Sequence, residues 1–385
     1  MDPFAPARLG PITLRNRFIK AATFEGRSPK NVVTDRLIDF HREVAAGGVG
    51  MTTVAYCAVS RDGRSAPGEI VLTPEPGLRR LTDAVHAEGA AACAQIGHAG
   101  PVAGAGQAGI APSRVFSPMA MKLVRAATAD DIARVTAEFA RAATIAVEAG
   151  FDAIELHLGH GYLLSAFMSP KLNRRKDGYG GDVTRRARFP GEVARAVRDA
   201  VDDKVAVTAK FNMSDGVRGG LDVDESIEIA RLLEQDQTLD ALELTGGSSF
   251  ANPMYLFRGD RPLEEMAAAM PGMLKVGFKV AGRYFLKSYP FEEAYFLPMA
   301  RRFRAALSMP LILLGGINRM DTITGAMDEG FAFVAMARAL LREPDLVNRL
   351  KSSATTEGIC IHCNKCMPTI YNGTRCVLID EPVTS

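Results

Sequence analysis

Eight short apolar runs recur along the chain, each followed by a longer amphipathic stretch, and few folds accommodate that alternation. The runs cover residues 18–23, 51–56, 91–96, 153–158, 205–211, 241–245, 310–315 and 331–337. Their length and apolar continuity suit parallel strands covered on both faces. Helical punctuation lies between them. Thr34 precedes LIDFHREVAA, which stops at Gly47, and Thr128 with Asp131 opens a long helix in the manner of a capping box, ending at Gly150. Another helix begins near Asp224 and carries Ile227, Ile229, Leu232 and Leu233 on an apolar face. Right-handed crossovers between eight parallel strands predict an α/β fold, a TIM (β/α)8 barrel over residues 1–350, with a short Cys-rich C-terminal extension over 351–385. A doubly wound sheet is the rival fold. It normally carries a glycine-rich phosphate turn after its first strand, and none follows residues 18–23.

With 385 residues, 47% of them hydrophobic, the chain can bury one large core. Its net charge of +2 comes from basic residues balanced locally by acids, which gives no signal of nucleic-acid or acidic-membrane binding. No apolar run reaches the length of a membrane span, and MDPFAPARLG lacks a charged leader before an apolar segment, so the cytoplasm is the expected location. Cys57 and Cys93 sit alone in apolar runs and read as small buried hydrophobes. Cys360, Cys363, Cys366 and Cys376 crowd the extension in a C-x2-C-x2-C-x9-C pattern, which reads as a metal or cluster site rather than a disulfide framework.

In a barrel the chemistry gathers where strands end. The fourth run leads into His157, His160 and Tyr162, two imidazoles and a phenol able to polarise a carbonyl and supply a proton. Gln95 is a strand amide that needs a partner, and Lys210 is a cation between apolar residues. LILLGGI offers Gly315 and Gly316, whose N–H groups can approach an anion, and Ala337 with Arg338 follows at the eighth strand's end. That is the usual barrel position for a phosphate. One phosphate is gripped and no second nucleotide fingerprint appears, which implies FMN. The long segments 98–125 and 246–290 follow the third and sixth strands and are expected to shape a substrate pocket.

The ordered series HGYLLSAFMSP, NRRKDGYGG and RRARF resembles the Old Yellow Enzyme family of flavin-dependent oxidoreductases, in the branch of the dienoyl-CoA reductases and trimethylamine dehydrogenases. The resemblance implies that Ala21, Ala22 and Thr23, after Leu14-Arg15-Asn16-Arg17, lie along the flavin with their backbone. It implies a backbone contact at Tyr56, a hydrogen bond from Gln95 to the pyrimidine edge of the ring, and Lys210 beside flavin N1 and O2. Phe24 stands where relatives carry a polar residue or cysteine, so a side chain that would tune the ring is absent. Cysteines in such an extension hold a [4Fe–4S] cluster in that branch, with zinc the alternative for four thiolates.

The activity implied is a ping-pong ene-reductase of small molecules: NAD(P)H reduces FMN, His157 and His160 hold the carbonyl oxygen of an α,β-unsaturated substrate, and Tyr162 protonates the α-carbon. The alternative is an amine or alcohol dehydrogenase passing electrons through the cluster to an electron-transfer protein. A non-catalytic flavin-binding subunit is a third reading, opposed by the presence of Tyr162 and both histidines. Residues 245–249, TGGSS, lack the histidine used by dienoyl-CoA reductases, so that substrate is not expected. A homo-oligomer is compatible with everything in the sequence.

Overall fold

The computed structural model describes residues 1–104, 109–118, 121–249, 251–270 and 272–379. Eight parallel strands form a closed ring: β1 (Phe18–Lys20), β2 (Met51–Ala58), β3 (Ala91–Gly97), β4 (Ala153–Leu158), β5 (Ala206–Asn212), β6 (Ala241–Thr245), β7 (Leu311–Leu313) and β8 (Phe333–Met336). Closure is direct, since β1 pairs with β8 through Ile19 and Ala335 and with β2 through Ile19 and Met51. Helices cross between successive strands, as a TIM (β/α)8 barrel requires. The helix starts follow the local chemistry. Thr34 accepts from the N–H of Leu37 to open Asp35–Ala46, and Thr128 and Asp131 form a reciprocal capping box at Ala129–Glu148. Asp222, not Asp224, caps Val223–Gln235 by accepting from the Glu225 N–H.

Apart from an irregularity in β2 between Val54 and Cys57, the strands alternate between two environments. Ile154, Leu156, Leu158, Val207, Ala209, Phe211, Leu242 and Leu244 face the helices, in one continuous apolar layer. At the opposite face, the strand starts Met51, Cys93, Ala153, Ala206, Ala241 and Phe333 fill the lower barrel, where small residues leave room for an N-terminal hairpin. That hairpin, Ala7–Leu9 paired with Ile12–Leu14, inserts Leu9 and Leu14 as a plug. The core therefore closes the bottom of the barrel and leaves the strand ends at the top for polar groups.

Segment 98–125 carries a small sheet of Ile110–Ala111, Val115–Ser117 and Lys122–Ala126, and segment 246–290 carries the helices Pro253–Leu256, Leu263–Ala269 and Gly272–Phe285. Of the two expected pocket segments, residues 105–108, 119–120, 250 and 271 lie outside the described residues, as do 380–385 of the extension. The extension runs back across the top of the barrel: Asp260 N–H donates to the His362 carbonyl at 3.2 Å and Thr374 N–H to the Glu25 carbonyl at 2.7 Å. Among the described residues no helix is long and apolar enough to cross a membrane.

Candidate active site

β4 ends at Leu158, and the turn after it holds His160 and Gly161 in the left-handed region, at φ 61° and 79°. Histidine is among the side chains that tolerate this region. The reversal folds Tyr162 back over the strand end. Its ring centroid lies 4.4 Å from that of His157 and 5.3 Å from that of Tyr56, and the two imidazoles stand 5.1 Å apart. Gly97 permits the convergence, because a Cβ there would lie 2.6 Å from a ring carbon of Tyr56. Ala22 and Phe24, just past β1, pack in the same group with Tyr56 and Tyr162. Tyr56 was expected to matter through its backbone. The structure also gives its ring a place in the cluster, with its hydroxyl donating to the Gly63 carbonyl at 3.0 Å.

Burial sets the charge state of this cluster. It holds the imidazole of His157 well below the usual range, helped by His160 and Lys210, and brings His160 down to about 3 with Lys210 as the second cause. Both rings are therefore neutral at physiological pH. Burial, then the charge of Glu69, raises the phenol of Tyr162, which keeps its proton. His160 Nε2 is 2.9 Å from Thr245 Oγ1, whereas Nδ1 of His157 is buried without a hydrogen-bond partner. A buried ring nitrogen left open in this way is a position for a ligand atom.

Beneath the cluster, inward positions of β3 to β6 carry a chain of buried polar groups. Gln95 Nε2 donates to Glu155 at 2.7 Å, Glu155 lies 3.6 Å from the Lys210 ammonium, and Lys210 donates to Glu243. Burial, then the neighbouring Glu243, pushes Glu155 up to about 8. Burial pulls Lys210 down, but Glu155 and Glu243 outweigh it and leave the ammonium above its usual range. A second buried pair joins Lys20 to Glu25 at 3.1 Å and to Thr23 Oγ1 at 2.7 Å. Glu25 is held at about 7 by burial despite the opposing pull of Lys20. Ala21 anchors the same loop, its N–H donating to the Met336 carbonyl at 2.9 Å.

A second group of predicted residues lies over β7 and β8. Gly315 and Gly316 adopt φ of 112° and 76°, and a Cβ on either would strike Phe296 or Tyr295 at 2.5 Å and 2.6 Å. The glycines thus admit aromatic rings, a use that was not expected from the sequence. Ala337 leads into Arg338, which begins a helix of five residues, Arg338–Arg342, too short to add much dipole. The local positive charge here is therefore that of the guanidinium. Arg338 Nη1 donates to the Arg258 carbonyl at 2.9 Å and to Asn364 Oδ1. The Arg258 guanidinium lies 5.0 to 5.9 Å from the ring centres of Tyr255, Tyr289, Tyr295 and Phe296, and its Nε has no hydrogen-bond partner.

Cys360, Cys363, Cys366 and Cys376 all line one small cavity of about 20 Å3 beside Arg338 and Asn364. None is in a disulfide, and Cys57 and Cys93 are buried elsewhere in the barrel. Burial pushes the Cys366 thiol up to about 11. His362, within the same segment, stacks on Phe291 at 3.5 Å between ring centres. Among the described residues no three His, Cys, Asp or Glu side chains close on a single-ion site.

Glu155, Glu243, Thr245, Arg258 and Asn364 were not singled out from the sequence. For the first two a signal existed: AIELHL and ALELT alternate with period two, which puts each acid on the inward face with His157 or Thr245. Arg258 and Asn364 lie in irregular segments where no periodicity operates.

Known proteins share this architecture and much of this sequence. The solved structure of morphinone reductase in complex with tetrahydroNAD superposes with a TM-score of 0.71 at 23% identity, covering 93% of this chain and 92% of that one. 2-Naphthoyl-CoA reductase gives a TM-score of 0.79 at 24% identity over 94% of this chain and 54% of the other. In sequence, the chain is 61% identical over 385 residues to a 4,4'-dithiodibutanoate disulfide reductase of Rhodococcus erythropolis, covering 99% of this chain and 96% of that protein. It is 33% identical to a metal reductase of Desulforamulus reducens over 96% of this chain, and spans about half (52%) of that protein's length. The profile of the NADH:flavin oxidoreductase / NADH oxidase family matches residues 2–245. The barrel, its polar top and these matches agree: the chain belongs to the NADH:flavin oxidoreductase / NADH oxidase family and is an FMN-dependent oxidoreductase of the Old Yellow Enzyme type.

Proposed function

We propose that this enzyme reduces a small organic disulfide at the expense of NAD(P)H, with His157, His160 and Tyr162 as its catalytic residues. The observation that carries the reading is the neutral His157–His160–Tyr162 cluster, in which an unpartnered imidazole nitrogen stands beside a protonated phenol. FMN, when bound, supplies the hydride chemistry. The residues that suit it are the backbone of Ala21, Ala22 and Thr23, the amide of Gln95, the ammonium of Lys210, and the Gly315–Gly316 loop with Ala337 and Arg338 for its phosphate. The unpartnered Nε of Arg258 fits the same anion.

The chain's own residues do three things in this reading. His157 and His160 orient the acceptor through neutral ring nitrogens. Tyr56, Phe24 and Tyr162 exclude water. Tyr162 gives its hydroxyl proton to the sulfur that leaves, so that NAD(P)H, one proton and the disulfide yield NAD(P)+ and two thiols. The 61% identity to the Rhodococcus disulfide reductase favours this acceptor. The same constellation fits an α,β-unsaturated carbonyl, whose oxygen the imidazoles would hold while Tyr162 protonates carbon, and this is the second reading.

We further assign the cavity lined by Cys360, Cys363, Cys366 and Cys376 to a [4Fe–4S] cluster. Four free thiols in a C-x2-C-x2-C-x9-C spacing around one cavity support this reading, and zinc is the alternative for the same thiolates.

Anaerobic stopped-flow tests the acceptor. Enzyme reduced with NAD(P)H is mixed with 4,4'-dithiodibutanoate or with 2-cyclohexenone, and flavin reoxidation is followed. Faster reoxidation by the disulfide is expected, and Tyr162→Phe should slow it by about a hundredfold while still accepting hydride from NAD(P)H. Faster turnover of the enone selects the second reading. Flavin reduction by an amine or alcohol without NAD(P)H would replace both with a dehydrogenase that feeds a partner protein.

A further inference from the structure

The loop after β2 brings a buried carboxyl to the proposed proton donor. Tyr162 Oη donates to Ser65 Oγ at 3.4 Å, Ser65 Oγ donates to Glu69 Oε1, and the Ser65 N–H donates to Glu69 Oε2 at 2.7 Å. Glu69 is 1% exposed, and among the described residues it forms no ion pair. Its backbone is fixed on both sides: Asn31 Nδ2 donates to its carbonyl at 2.8 Å, and Ile70–Val71 pairs with β2. The groups facing it are Ser65, the Ala66 N–H, Arg64, Tyr56, Cys57 and Tyr162. Arg64 is the one cation among them, and its Nη1 is directed to Asn31 Oδ1 at 3.0 Å. A carboxyl buried without an ion-pair partner is costly, and a hydroxyl route to Tyr162 gives that cost a purpose.

We propose that Glu69 and Ser65 form a proton relay that recharges Tyr162 after each turnover. The inference rests on the assignment of Tyr162 as the proton donor. When Tyr162 gives its proton to the product, a buried phenolate remains. The Ser65 hydroxyl turns from Glu69 to that oxygen and gives it its proton, the Glu69 carboxyl proton moves to Ser65 Oγ, and Glu69 regains a proton from solvent as product departs. One proton enters per hydride delivered, so the balance of the reaction is kept. Glu69 acts through Tyr162 and does not touch the substrate. Burial, against the bonds from Ser65, holds its carboxyl at about 7, so both protonation states are populated at neutral pH, as a relay needs.

The test is the pH profile of multiple-turnover NAD(P)H oxidation by 4,4'-dithiodibutanoate or 2-cyclohexenone in Glu69→Gln and Ser65→Ala holoenzymes, with single-turnover flavin reduction by NAD(P)H and reoxidation by the acceptor timed in the same samples. The multiple-turnover rate of the unaltered enzyme should fall as pH rises through about 7, because a deprotonated Glu69 has nothing to pass on to Tyr162 between cycles. Glu69→Gln should lower the rate about tenfold relative to flavin reduction and remove that fall. A variant that keeps both the rate and the pH profile overturns the relay. If the unaltered enzyme is reduced by NAD(P)H but neither probe reoxidises it, the acceptor reading fails instead. The relay is then judged by ultraviolet titration of the phenols with Tyr162→Phe as the blank: a shifted Tyr162 ionisation in Glu69→Gln supports the link, and an unshifted one overturns it.

Discussion

Individual carboxyls set how this enzyme responds to pH. Burial holds Glu25 and Glu69 at about 7 and Glu155 at about 8, whereas an unfolded glutamate releases its proton near 4.5. Between those values the folded state binds more protons than the unfolded one. The stability contributed by the protonated forms is therefore complete below about 4.5 and is lost as pH rises through 7 to 8. Lys210 is raised as well, but its contribution is lost only above its ordinary value of 10.5, outside this window. The neutral His157 and His160 act in the opposite sense only below their ordinary value of 6.5, so the melting temperature of the holoenzyme should fall from about pH 7 to 8.5, and Glu155→Gln should flatten the fall; a profile that rises across this range contradicts the assignment. Lys210 was legible in the sequence as an odd cation among apolar neighbours. Its partners Glu155 and Glu243 were marked only by the period-two alternation of AIELHL and ALELT, which does not say that the inward positions of neighbouring strands meet until the sheet is closed.

At the scale of elements, the eight strand positions were legible because each run is continuous and each crossover helix is punctuated, as Thr34 and Thr128 show. What escaped was the traffic between irregular segments. Asn364 sits between Cys363 and Cys366 with its backbone in the left-handed region, at φ 57°. Its buried amide donates to the carbonyls of Phe257 at 2.7 Å and Asp260 at 2.9 Å and accepts from Arg338. One side chain therefore ties the cysteine segment, the loop after β6 and the guanidinium assigned to the FMN phosphate. Asn364→Ala removes three bonds, each worth about 1 kcal/mol. FMN should dissociate at least about tenfold more readily on ultrafiltration, and the neighbouring thiols should be labelled faster by a maleimide. Unchanged flavin retention would mean that Arg338 holds its position unaided.

The whole molecule is one barrel with a long return of chain over its top. It spans 96% of the Rhodococcus disulfide reductase, whereas it spans 52% of the metal reductase of Desulforamulus reducens. Protein purified without oxygen should carry FMN together with about four irons and four sulfides per chain, as four thiolates around one cavity imply. Zinc in their place would make the extension a structural clasp, and its removal by chelation would then lower the melting temperature without altering flavin colour. The return itself has a consequence for how the enzyme comes into being. Thr374 donates to the Phe24 carbonyl across 350 positions of sequence, and Ile370 lies against Gly26. On a ribosome adding about 5 to 20 residues per second, the loop after β1 waits tens of seconds for its partner to emerge. The barrel wall can form earlier in synthesis, but its upper face is completed only once residue 374 has emerged, so a complete site for the cofactor exists only from that point on.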